Sequence, residues 1–184
     1  YSFIKKNKKS AVSPKYKNRI KLSSIYKKPN NLLLKTYHWL INSSKGYDPG
    51  NISLCGFNYS DESKNSGYKI HQWLSGGAVM HHKKNLILYN YYPYNFKKSY
   101  CEDILHSLLL NRKNINLFKY YDAKVSTKDR GNIIKNHSIK EILKEFSNEF
   151  LIRRYIVRKF DLSQTRLFIY YSIFFLRIIR KIIK

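Results

Sequence analysis

The chain has 184 residues, with 36 Lys and Arg against 11 Asp and Glu, a formal net charge of +25 and a pI near 10.0. That excess excludes an ordinary soluble metabolic enzyme and disfavours a free-standing monomer, because uncompensated like charges repel within a compact chain. The length admits one ordinary domain, or a small domain with long extensions, and an apolar content of 43% excludes a purely disordered basic tail.

Lys (27), Ile (21), Asn (17) and Tyr (17) make up 82 of the 184 residues, whereas Ala, Gly and Pro together make up 14. The enriched types share codons rich in A and T, which points to an AT-rich genome, an organelle first among the candidates. Many Tyr, Asn and Lys therefore reflect coding bias. The scarcity of acids does not, since Asp and Glu also have codons containing A and T.

Residues 1–47 hold twelve Lys or Arg and no acid; the first acid is Asp48. The opening carries Lys5, Lys6, Lys8, Lys9, Lys15, Lys17, Arg19, Lys21, Lys27 and Lys28. Its periodicity is weak, and Pro14 and Pro29 discourage a long helix. It reads as an extended basic arm over 1–30 that a polyanion would order. Residues 31–41 (NLLLKTYHWLI) form a short apolar element, helix or strand. Ser43–Gly50 contains strong breakers and reads as a turn region. Residues 51–59, 68–74, 78–80 and 86–92 are strand candidates rich in Ile, Leu and Tyr, so 50–95 reads as a small meander or barrel. Asp61-Glu62 falls in a polar loop. Glu102–Leu110 suits a short helix with Glu102 and Asp103 at the favourable end of its dipole. Weaker strands follow at 115–121 and 124–126.

The last quarter is more legible. Ser138-Ile-Lys-Glu141 matches a capping box, and Ile139, Ile142, Leu143, Phe146 and Phe150 share one helical face. Asp161-Leu-Ser-Gln164 offers a second capping signature ahead of a helix running to Lys184. Residues Leu167–Leu176 are the longest apolar run, ten residues interrupted by Ser172, which is short of the ~18 that suggest a spanning helix. No signal peptide is legible, and an opening at Tyr1 without Met is compatible with a removed leader. Together these features predict an α+β fold: a basic arm over 1–30, a small mixed strand-rich core over 31–137, and a helical basic extension over 138–184.

Two cysteines, Cys55 and Cys101, make no disulfide framework and suit a reducing compartment. With His71, His81, His82 and His106 they form no pair at metal-ligand spacing, so no metal or other cofactor is expected. No nucleophile motif or phosphate-binding Gly loop is present, and no enzymatic activity or small-molecule substrate is expected. Cations interleaved with flat side chains, as in Tyr89–Lys98, are suited to phosphates and exposed bases. The opening lysines and a second cluster, Arg153, Arg154, Arg158 and Lys159, are the candidate phosphate contacts. On a helix, 154 and 158 lie one turn apart beside Leu151, Ile152, Tyr155 and Ile156.

A small, very basic chain with a modest core and basic extensions resembles a ribosomal protein, and the coding bias makes it similar to those encoded in mitochondrial genomes. The order of Gly46-Tyr-Asp-Pro-Gly50-Asn51-Ile52, Tyr68-Lys69-Ile70-His-Gln-Trp73, Leu88–Asn95 and Gly131-Asn132-Ile-Ile134-Lys-Asn-His-Ser-Ile139 is similar to the order of motifs in large-subunit ribosomal protein two. That family's Arg-His-Arg-Gly-Gly-Gly-His-Lys core is absent, with residues 53–66 standing in its place, as is its C-terminal Gly/Arg-rich motif. No site residue is carried over. The resemblance implies a structural constituent of the mitochondrial ribosome in the matrix, with rRNA and neighbouring ribosomal proteins as partners. The alternative is an accessory subunit of an organellar inner-membrane complex, held at an anionic surface by a basic amphipathic helix at the C-terminus. Membrane contact ranks second because the charge is spread over the whole chain.

Overall fold

The computed structural model describes residues 2–17, 28–61, 66–95, 99–126 and 138–183. In chain order these form α1 (Ser2–Lys6), β1 (Ser10–Lys17), α2 (Leu32–Asn42), β2 (Tyr68–His71), β3 (Met80–His81), α3 (Glu102–Arg112), β4 (Asn116–Ser126), α4 (Ile139–Lys159) and α5 (Gln164–Ile183). The fold is α+β, as expected. The four strands make one mixed sheet in the order β2-β4-β1-β3, with β1 parallel to β4 and both edge strands antiparallel to their neighbours.

The chief departure from expectation is at the start of the chain. Residues 10–17 of the supposed arm are an interior strand, with Ser10, Ala11 and Ser13 buried. Small side chains let β1 sit between neighbours while offering no hydrophobic alternation to read. Pro14 lacks an N–H and belongs at edges or bulges. Here the register jumps from Pro14↔Tyr120 to Lys15↔Lys124, so the irregularity falls beside the proline.

The sheet has two unlike faces, because alternate residues point to opposite sides. One carries Ala11, Ser13, Leu117, Tyr121 and His71, all buried; with Leu74, Leu110 and Ile115, Ala11 and Leu117 form one core cluster. The opposite face carries two rows set by the register: Ile70–Phe118–Val12–Met80 across all four strands, and Tyr68–Tyr120–Pro14 across three.

The helices build the rest of the core. Asn31 caps α2 by accepting from the Leu34 amide at 2.9 Å. Leu34, Tyr37, His38 and Ile41 then fall on one buried face at i, i+3, i+4 and i+7, which decides for helix at a segment open to either reading. This face packs with Val157 of α4 and Leu167, Tyr170 and Tyr171 of α5. Residues 51–59 are a tight loop and not a strand. Gly56, at φ +75, closes a turn in which its amide donates to the Ser53 carbonyl at 2.9 Å, leaving only the bridge Ile52↔Asn58. The loop delivers Cys55, Phe57 and Tyr59 into the helical core. Residues 86–92 also form no strand; Ile87, Tyr91 and Tyr92 pack on Ile104, Leu105 and Ile152 of α3 and α4. The expected meander is therefore replaced by a sheet whose centre is β1 and β4.

Helix ends follow local chemistry. Ser138 and Glu141 form the expected capping box. Asp161 has a different role from the one expected: at φ +55 it ends α4, with the Leu162 amide donating to the Val157 carbonyl at 2.9 Å and the Asp161 amide to Arg158 at 3.5 Å. This is a Schellman stop, with Leu162 and Val157 sharing one cluster. Ser163 serves α5 instead, accepting from the Arg166 amide at 3.3 Å. The same device ends α3: Asn114 lies at φ +55, and the Ile115 amide donates to the Leu110 carbonyl at 3.1 Å. With only seven glycines in the chain, Asn and Asp take the left-handed stops, the residues that tolerate them next best.

Candidate nucleic-acid interface

The sheet register brings separate basic segments to one end of the molecule. Because Ala11 faces His81, the residues before β1 lie beside those after β3. The buried Asn85 side chain fastens them, donating to the Lys8 carbonyl at 2.8 Å and the Ser10 carbonyl at 3.1 Å. It closes a short 3-10 turn, Lys83–Asn85, in which the Lys84 amide donates to the His82 ring. On the other side, the Asn116 amide donates to the Lys9 carbonyl at 3.0 Å, which brings the α3–β4 turn alongside. Lys8, Lys9, Lys83, Lys84 and Lys113 are all exposed at this end. Lys8 and Lys9 are among the contacts expected from the sequence, whereas Lys83, Lys84 and Lys113 are not. The Lys83-Lys84 pair directly after a strand candidate was the available signal, and only strand pairing reveals its neighbour.

The other expected contacts divide. Lys5 and Lys6 are exposed on α1, and Lys28 is exposed. Lys17 is the last residue of β1. Lys15 is half-buried and directed inward, its Nζ 5.7 Å from the Tyr121 ring centroid. Arg19, Lys21 and Lys27 lie outside the described residues. On α4 the expected basic stripe does not form as one surface. Arg158 is exposed and within 3.4 Å of Gln164. Lys159 is half-buried against Tyr155, donating to its hydroxyl at 2.8 Å. Arg154 is half-buried.

Arg153 is a correction. It is 5% exposed, on the same side of α4 as Ile152, Ile156 and Val157. Its Nε and Nη2 both lie 2.9 Å from Glu149 Oε1, and Nη1 donates to the Gly56 carbonyl at 2.5 Å. The guanidinium sits 5.8 Å and 5.9 Å from the ring centroids of Phe57 and Tyr170. It is a structural ion pair with no surface to offer a phosphate. Arg166 is likewise internal in its work: its Nη1 donates to the carbonyls of Trp39 and Leu40, near the C-terminal end of α2.

One carboxylate is drawn inward as well. Asp61, expected in a polar loop, is buried beneath the sheet. Its Oδ2 accepts from Lys69 Nζ and from the Tyr121 hydroxyl, each at 2.8 Å, and His71 Nε2 is 3.7 Å away. Lys119 Nζ donates to the Asp61 carbonyl at 2.8 Å. Since the Tyr121 hydroxyl gives its proton to Asp61, it accepts from His71 Nε2 at 3.1 Å, which fixes the ring tautomer. Burial, reinforced by Lys119, lowers the His71 pKa to about 4, so the imidazole is neutral near pH 7. Asp61, His71 and Lys119 line a cavity of about 230 Å³ together with Ser13, Lys15 and Trp73. Asp61 Oδ2 is engaged by two donors, and the network pins β2 to β4 across their core side.

Cysteine and histidine chemistry is dispersed. Cys55 is buried, its thiol pKa pushed up by burial, with Ser53 Oγ 3.1 Å from its Sγ. Burial pushes the Cys101 thiol up to about 12. His81 and His106 meet edge to face at 6.2 Å, both with pKa lowered first by burial. Among the described residues no three His, Cys, Asp or Glu side chains converge on a point that could hold a metal ion. The arrangement offers exposed cations at one sheet end and on α1, while Asp61 is buried and Glu149 is paired with Arg153. Comparison of the chain with protein-family models, with curated proteins and with solved structures finds no match.

Proposed function

We propose that this chain is a structural RNA-binding subunit of a mitochondrial ribosome, acting in the matrix with rRNA and neighbouring ribosomal proteins as partners. One observation carries the reading: lysines from the α1–β1 turn, the turn after β3 and the α3–β4 turn meet at one end of the sheet, while Asp61 is buried and Glu149 is paired with the buried Arg153. A polyanion neutralises such a surface and gains by counterion release. The mechanism is electrostatic and architectural, with no bond made or broken. Sedimentation of organelle lysate with and without ribonuclease tests it. Co-migration with a ribosomal subunit that collapses on ribonuclease treatment is the expected result. Migration with a ribonuclease-resistant, detergent-soluble membrane complex overturns it.

The alternative reading, an accessory subunit at an inner-membrane surface, is favoured by one feature. Phe168, Phe175 and Leu176 of α5 are exposed along one stripe with Ser172. No described helix is long and apolar enough to cross a membrane, so this reading requires surface attachment. Flotation with anionic liposomes, with and without the last turns of α5, separates the two readings.

A further inference from the structure

The sheet face opposite the core is open and largely apolar. Ile70, Met80 and Tyr68 on it are 64%, 48% and 43% exposed. The register aligns Ile70, Phe118, Val12 and Met80 in one row and Tyr68, Tyr120 and Pro14 in the next. Three rings are already stacked there: Phe3 of α1 on Tyr68 at 4.1 Å, and Tyr68 on Tyr120 at 4.3 Å, each pair within 12° of parallel. Phe118 meets Phe3 edge-on at 5.1 Å. Directly beyond Phe3 on the same short helix come the exposed Lys5 and Lys6.

We propose that this face is a stacking platform for unpaired bases of RNA, continuing the Phe3–Tyr68–Tyr120 column and the Ile70–Phe118 row, with the sugar–phosphate strand held by Lys5 and Lys6. The proposal rests on the RNA-binding reading above and specifies which form of RNA is bound. Charge complementarity selects the occupant. A second copy of this chain would bring another +25 against the first and set one pair of α1 lysines against another. A single strand supplies flat apolar groups and negative charge together. Double-stranded RNA supplies the charge but keeps its bases stacked within the helix.

The test uses the purified full chain, checked for folding by circular dichroism. Fluorescence anisotropy follows binding to three probes: a short oligouridylate, an abasic ribose–phosphate oligomer of equal charge, and an RNA duplex. Oligouridylate is expected to bind about tenfold more tightly than the abasic oligomer. The charge-neutral variants Tyr68→Ser and Ile70→Ser should remove that difference while leaving duplex and abasic binding unchanged. Ile70 is exposed enough that its variant tests the face even where Tyr68→Ser perturbs the fold. Equal affinity for oligouridylate and the abasic oligomer overturns the platform but leaves phosphate binding standing. A dimer in sedimentation equilibrium that Ile70→Ser dissolves overturns the platform in favour of a second copy. Absence of binding to all three probes overturns both the platform and the RNA-binding reading.

Discussion

Substitution of Arg153 separates a structural ion pair from a phosphate contact. In Arg153→Ala the Gly56 carbonyl loses a buried donor, Glu149 loses the cation whose Nε and Nη2 both lie at 2.9 Å, and the rings of Phe57 and Tyr170 lose the guanidinium beside them. Breaking a buried pair by removing one partner costs about 3–5 kcal/mol. The Glu149 side chain is 32% exposed, so water compensates part of its loss and the lower end applies, roughly 3 kcal/mol. For a chain of this size that lowers Tm by roughly 6–12 °C. Arg153→Met keeps the stem packed and removes the charge, so it should lose less. Arg158→Ala, on the exposed side of α4, should leave Tm nearly unchanged, within about 0.5 kcal/mol. Thermal melts by circular dichroism read the stability difference, and RNA affinity at fixed salt reads the alternative. If Arg153→Ala melted with the parent protein and lost RNA affinity instead, the buried-pair assignment would be wrong.

Three further outcomes follow from the geometry. Replacing Lys8, Lys9, Lys83 and Lys84 by Gln should lower the salt dependence of RNA binding by about three units of log–log slope, with no fall in Tm; an unchanged slope removes this end of the sheet from the interface. Asp161→Gly should stabilise the chain by about 0.5–1 kcal/mol, because glycine occupies the left-handed C-terminal stop of α4 without strain, and a lower Tm would contradict that assignment. His38 and His71 are buried with pKa values lowered to about 4, burial being the leading cause in both. The folded state therefore holds fewer protons than the unfolded state between about pH 6.5 and 4. Their stabilising contribution is complete above pH 6.5 and is lost as pH falls through that window, roughly 2 kcal/mol each by pH 5. Melts from pH 7.5 to 5 should show this loss, and His38→Gln should flatten it; a flat parent curve would refute the buried neutral assignment.

Local chemistry in the chain was sufficient to specify the α+β class, the α4 capping box and the acidic start of α3, since each depends on neighbours a few residues apart. The cationic excess was equally legible, being a property of composition. What the chain could not disclose locally was the partner of each strand. Residues 10–17 carry Ser, Ala and Pro where hydrophobic alternation would announce a strand, and only pairing with β4 and β3 makes them the centre of the sheet. Gly56 shows the reverse case: a run with strand-like composition bends into a loop because one left-handed residue closes a turn and three side chains find a helical core. The interface divides in the same way. Lys8 and Lys9 were visible as cations, but their proximity to Lys83, Lys84 and Lys113 depends on antiparallel register and the Asn85 hydrogen bonds. Arg153 and Arg158 are the same residue type five positions apart on one helix. Composition assigns them the same charge, but helical phase and the packing of Phe57 and Tyr170 place one in the core and leave the other in water.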